Sequence, residues 1–233
     1  MAGRKTINAQ AKYEESEMPI STRSYAVGAA TVAAVALGAT WWAVQRAPGS
    51  DDIFAQCRQG EIAGGIEAVG GPFELTDETG KLVTDKEVIT GPSLLYFGYT
   101  FCPDVCPLDV ARNAETVFQL DERGYEVTPV FITYDYIRDT PQSVADFTDV
   151  MHPRMIGLVG TQAQVEAASR SYRTYFKLKD PQNDPYFLID HSTQSYLSFP
   201  EPVGFVEYFN RDVAPEAMAD RIACFVDAWK ATQ

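Results

Sequence analysis

Four cysteines and two histidines are the side chains of this 233-residue chain best suited to holding a soft metal ion or exchanging a disulfide. Cys102 and Cys106 stand four residues apart in Thr100-Phe101-Cys102-Pro103-Asp104-Val105-Cys106-Pro107. The apolar run Ser93–Tyr99 precedes them, and helical periodicity over Leu108–Arg123 follows. The entrance of a helix carries partial positive charge and unpaired N–H groups, both of which favour a thiolate. A thiolate is the form that binds a metal or attacks a disulfide. The i, i+4 spacing puts both sulfurs on one face if the first turn is helical. Such a pair can close a disulfide, grip one soft ion, or stay as two buried thiols. Dithiol redox pairs more often have two intervening residues, so the third shifts the weight toward metal binding.

A third donor can come from His152 or His191. His191 ends the run Tyr186-Phe187-Leu188-Ile189-Asp190, at the close of a predicted strand. Two thiolates and an imidazole make a low-coordinate soft site that suits Cu(I), and Cu(II) with an added oxygen ligand; Zn(II) would want a fourth ligand. The sequence pattern equally allows His191 to be a core or turn histidine. His152, in Met151-His152-Pro153, reads as a loop or C-cap residue, and Met151 and Met155 beside it read as core filling.

The elements that must position these residues alternate. Phe73–Val88 reads as a hairpin turning at Thr79-Gly80, and Ser93–Tyr99 as a buried strand leading into the Leu108–Arg123 helix, which Gly124 closes. Val127–Tyr134 is a second apolar strand. Thr140-Pro141 starts a helix with Thr140 as its N-cap. Met155–Val159 is a third strand, and Thr161 with Gln164 forms a capping box for a helix to about Tyr175. Tyr186–Asp190 and Ser195–Phe199 read as a hairpin pair, Gly204–Phe209 as a last strand and Ala214–Trp229 as a last helix. The order implies an α/β fold with a mixed central sheet flanked by helices, which a thioredoxin-like fold fits.

The N-terminal part is different. Residues 25–44 carry no charge over 20 positions, about 30 Å of helix at ~1.5 Å per residue, and Trp41 and Trp42 sit near one end. This predicts a single transmembrane anchor, with 1–24 a short cytoplasmic N-terminus, 45–70 a Pro/Gly-rich linker and 71–233 the globular domain. Arg4, Lys5, Lys12 and Arg23 precede the span, a modest positive-inside bias that places the body outside the cytoplasm. In that oxidising space Cys57 and Cys224 would be liabilities as free thiols, and a disulfide between them is the simple solution. Two inert thiols or an intermolecular bridge remain alternatives. The formal net charge of -13 disfavours nucleic-acid binding.

The chain resembles the Sco/SenC family. The likeness rests on Gly98-Tyr99-Thr100-Phe101-Cys102-Pro103-Asp104-Val105-Cys106-Pro107, Arg138-Asp139-Thr140-Pro141 and Asp190-His191-Ser192-Thr193. Upstream, Gly71-Pro72-Phe73-Glu74-Leu75 and Gly80-Lys81 also match, so the likeness covers roughly residues 70–200. The resemblance implies a thioredoxin-like domain that binds copper through Cys102, Cys106 and His191. It implies a metallochaperone, not an enzyme in the usual sense, that receives copper among other copper chaperones and serves the binuclear copper centre of cytochrome c oxidase subunit II. A thiol–disulfide reductase acting on that subunit is the alternative. Peroxidase chemistry, which the fold also hosts, fits poorly with two cysteines packed into one loop. Asp135 occupies the place of an acidic residue near the copper site, so an outer role there is implied. Two departures stand out: Tyr136-Ile137 follows Asp135 where the family has a proline, and Gln194-Ser195 replaces an apolar strand start. The expected location is the bacterial inner membrane facing the periplasm, with the mitochondrial inner membrane facing the intermembrane space as the alternative.

Overall fold

The computed structural model describes residues 22–45, 52–58 and 69–233, so most of the expected cytoplasmic N-terminus and much of the expected linker lie outside the described residues. The chain divides into two units, Met1–Asp52 and Ile53–Gln233. In the first, α1 runs over Thr22–Gln45, with Val27, Val32, Val35, Leu37, Trp41 and Trp42 all exposed. The helix forms where the anchor was expected, but the anchor itself is not supported. Alanine, glycine and threonine dominate the segment, and among the described residues no helix is long and apolar enough to cross a membrane.

The second unit carries β1 (Glu74–Asp77), β2 (Leu82–Thr84), the single turn α2 (Asp85–Val88), β3 (Ser93–Gly98), α3 (Val105–Glu122), β4 (Thr128–Thr133) and α4 (Pro141–Thr148). Next come β5 (Ile156–Val159), α5 (Gln162–Ser171), β6 (Phe176–Leu178), β7 (Ile189–His191), β8 (Ser195–Phe199), β9 (Gly204–Phe209) and α6 (Pro215–Lys230). Seven strands form one mixed sheet in the order β2-β1-β5-β4-β3-β8-β9. The central β3, β4 and β5 are parallel, while β1 and β8 join them antiparallel. Every residue of β3 is buried, as a central strand covered on both faces requires.

Local sequence sets the joints. The Thr140 side chain accepts from the Ser143 N–H at 3.1 Å. Gln164 Oε1 accepts from the Thr161 N–H at 2.9 Å, completing the expected capping box. Gly124, at φ +79°, makes the left-handed turn beyond α3.

Three sequence expectations change. Tyr186–Asp190 and Ser195–Phe199 do not pair: β7 pairs with β6 in a separate two-stranded sheet, and β8 lies between β3 and β9. The reason lies in the connection. Ser192 N–H donates to Tyr175 O at 2.9 Å and its Oγ accepts from Tyr175 N–H at 3.0 Å, tying the end of β7 to the start of β6. The wholly buried β8 then leaves for the main sheet. The helix expected to reach Tyr175 ends at Ser171, with Arg173 at φ +50°, which frees the three residues of β6. Finally, the compact unit starts at Ile53, and Phe54 and Cys57 are buried against Phe199, Phe225 and α6.

Candidate metal centre

The cysteine loop leaves the carboxyl end of β3 and enters α3. Cys102 N–H donates to Tyr99 O at 3.3 Å, making the tight turn. Asp139 holds that turn from the next loop: it accepts from Thr100 N–H at 3.0 Å and from the hydroxyls of Thr100 and Thr133. Cys102 precedes α3 and is half-buried, whereas Cys106, in the first turn, is buried; both are free thiols. Pro107 sits within that same turn, where the absent N–H costs nothing. Gly98 makes room for the second sulfur, because a Cβ there would stand 3.1 Å from Cys106 Sγ and 2.9 Å from the Tyr96 ring.

His191 arrives as the last residue of β7. Its Nδ1 lies 2.7 Å from Ser192 O and its Nε2 3.3 Å from Cys106 Sγ. A carbonyl only accepts, so the ring proton belongs on Nδ1 and the bare Nε2 faces the sulfurs. Tyr99 and Tyr134 enclose the ring at centroid distances of 5.8 and 5.5 Å. The Tyr99 hydroxyl also accepts from the Ile189 N–H at 3.3 Å, pinning β7 to the end of β3. The donor atoms of Cys102, Cys106 and His191 all lie within 4.8 Å of one another. Cys102 and His191 line a cleft of about 370 Å³, together with Asp104, Leu188 and Thr193, while Cys106 is buried.

The two thiols differ electrostatically. The Cys106 thiol donates toward Cys102 and holds it well below the ordinary cysteine range, helped by the N–H groups of Cys106 and Asp104, against the opposing effect of burial. Cys106 is pushed up because it keeps the shared proton and is buried. The pair thus presents one half-exposed thiolate and one inner thiol. Behind Cys106, Tyr96 OH donates to the buried Asp109 at 2.9 Å, and Arg211 Nε lies 3.5 Å from the same carboxylate. Two sulfurs and one imidazole nitrogen form a set chemically fitted to a soft monovalent ion.

The other candidates fall elsewhere. Asp135 is fully buried and is not one of the clustered donors; it accepts from the N–H groups of Ile137 and Arg138 and pairs with Arg138 Nε at 2.5 Å. His152 lies just past α4, packs on the Phe118 ring at 4.4 Å and accepts from Arg154 N–H through Nδ1 at 3.1 Å. Met151 and Met155 pack into the core, as expected. Cys57 and Cys224 are joined as a disulfide. Sequence reasoning passed over Gly98, Tyr99 and Ser192 as individuals, although each stands inside a motif it singled out.

A profile of the SCO1/SenC family matches residues 63–227, most of the chain. The chain belongs to the SCO1/SenC family. Among its relatives, protein SenC of Rhodobacter capsulatus is 49% identical over 211 residues, covering 91% of this chain and 94% of its own. The mitochondrial SCO1 homolog of Homo sapiens is 35% identical over 161 residues, 68% of this chain and 53% of its own, so this SCO1/SenC chain spans about half of that relative. The crystal structure of Arabidopsis thaliana ScoI with copper bound aligns with a TM-score of 0.64 at 36% identity, over 70% of this chain and 99% of the other. Copper-bound Bradyrhizobium japonicum ScoI aligns at 0.60 and 37%, over 67% and 98%. The thioredoxin-like arrangement of this SCO1/SenC domain agrees with those structures.

Proposed function

We propose that this chain is a copper-handling protein that binds Cu(I) through Cys102, Cys106 and His191 and hands it to the binuclear copper centre of cytochrome c oxidase subunit II. The observation that carries the reading is the meeting of three soft donors within 4.8 Å, with His191 Nε2 left bare by the Nδ1 bond to Ser192 O. The two copper-bound relatives support copper as the cargo.

Transfer on this reading is ligand exchange. Cys102, the half-exposed sulfur, is the ligand that an incoming partner thiolate displaces first; Cys106 and His191 let go later. Metal binding releases the proton that Cys106 holds, so affinity rises with pH. The Cys57–Cys224 disulfide supports an oxidising working compartment, a bacterial periplasm or a mitochondrial intermembrane space.

A second reading rests on the depressed ionisation of Cys102. As a thiolate it can attack a partner disulfide and form a mixed disulfide. Cys106 then attacks Cys102, closing a Cys102–Cys106 disulfide and releasing the partner as a dithiol. His191 separates the two readings. Copper stoichiometry on the reduced protein and on His191→Ala should give one Cu(I) per chain, held tightly only in the parent, while thiol exchange persists in the variant. Absence of tight Cu(I) binding in the reduced parent would leave thiol exchange as the function.

A further inference from the structure

The site is assembled from two parts that the main sheet does not join. The cysteines belong to the β3–α3 loop. His191 belongs to the β6–β7 hairpin, whose strands pair only with each other. Within the hairpin, Lys179 N–H donates to Leu188 O at 2.9 Å and Lys179 Nζ pairs with Asp190 at 2.7 Å. None of those bonds fixes the hairpin over the cysteines.

Arg138 reaches both parts. Its guanidinium lies 3.6 Å from the centroid of the Phe187 ring, on the hairpin, and 4.7 Å from that of Phe101, the residue before Cys102. Its Nη1 donates to Pro185 O at 3.3 Å, again on the hairpin. Its Nε is held by the fully buried Asp135, whose other oxygen takes the N–H groups of Ile137 and Arg138 and so freezes the turn that carries the arginine. A planar cation can lie against aromatic rings while its edge makes directed bonds, which an ammonium on a flexible stem cannot reproduce.

We infer that Arg138, oriented by Asp135, is a positioning residue that clamps the β6–β7 hairpin to the cysteine loop and thereby sets the approach of His191 to Cys106. This rests on the proposed copper site and names the device that holds it together. Asp135 then acts on the site through Arg138, without touching the metal. The clamp is separate from the Tyr99 hydroxyl bond to Ile189, which fixes the base of β7 but not the tip of the hairpin.

The test uses the whole reduced chain, with Arg138→Met and Arg138→Lys. The lysine variant keeps a cation beside Asp135, so it guards against a simple folding failure of the methionine variant. Two readouts are needed. Amide hydrogen exchange of the copper-free protein reports the hairpin directly: Lys179, Phe187 and Ile189 should exchange faster in both variants, with α6 unchanged. Competition with a chromophoric Cu(I) chelator reports the site: both variants should lose about 10–100-fold in affinity, the usual cost of removing a group that orients a metal ligand. Placed in the His191→Ala background, the same substitutions should cost no further affinity, because the clamp works through His191. Equal losses with and without His191, or hairpin exchange unchanged in both variants, would overturn the inference. Failure of the parent to bind Cu(I), with the hairpin still loosened, would sink the copper reading and leave the clamp standing.

Discussion

The chain holds two cysteine pairs, and they have opposite fates. Cys57 and Cys224 lie 167 residues apart in sequence and are bonded; Cys102 and Cys106 lie four apart and are free. The bonded pair sits in an apolar cluster with Phe54, Phe199 and Phe225. The free pair faces backbone N–H groups at the start of α3, which stabilise a thiolate, and an imidazole nitrogen that can join the sulfurs on a metal. The environment around each pair, and not the spacing within it, separates a structural bond from a reactive site.

Crossing the two pairs is the strongest way to break this comparison. Replacing Cys106 by Ser should abolish tight Cu(I) binding, a larger loss than the roughly 10–100-fold expected from disturbing an orienting group. Thermal unfolding of that variant should stay close to the parent. The converse double variant, Cys57→Ser with Cys224→Ser, should lose about 2–4 kcal/mol of stability. Its Cu(I) stoichiometry and affinity should be unchanged. A matching loss of copper from the second variant would mean that the two regions are not independent.

Gly98→Ala sharpens the comparison from within the site. The added methyl would press on Cys106 Sγ, Phe131 and Tyr96, at a cost of about 1–3 kcal/mol. Denaturant unfolding together with the Cu(I) titration should show both stability and affinity falling. Among the described residues, no glycine makes such a contact with either bonded sulfur. The smallest effect concerns His152, away from both pairs. Burial and Arg154 lower its ionisation, against the pull of Asp121. The folded state therefore favours the neutral ring. That contribution is present above the ordinary histidine value of 6.5 and is lost as pH falls below it toward the depressed folded value. His152→Gln should flatten the slope of stability against pH between 7 and 5; an unaltered slope would assign the acid sensitivity to other groups.

Much of the domain was legible because its signals are local. Apolar runs announced β3, β4 and β5, and Thr140-Pro141 and Thr161 with Gln164 announced two helix starts at their observed places. The cysteine loop at a helix entrance was equally plain. What stayed hidden depends on distant contacts. β6 is only Phe176-Lys177-Leu178, too short and too mixed to stand out, so β7 was matched with the wrong partner. Phe54 and Cys57 read as linker because their burial is supplied by α6 and β8, far along the chain. The 25–44 segment has the length of a membrane span, but its alanine-rich composition does not carry the apolarity that length suggested. The tautomer of His191 hangs on a single carbonyl, that of Ser192, which no side-chain pattern reveals.

The Cys57–Cys224 bond has a mechanical consequence. It ties the start of the compact unit to its last helix, so the segment from Arg58 to Ala223, with Cys102, Cys106 and His191 inside it, forms one covalent loop. Tension applied through the two ends of the chain passes from Cys57 to Cys224 across the sulfur bridge and does not enter the loop. Only the residues before Cys57 and after Cys224, outside the bridge, can be drawn out. The donor atoms therefore keep their spacing under a pull that would unravel the same domain once the bridge is reduced.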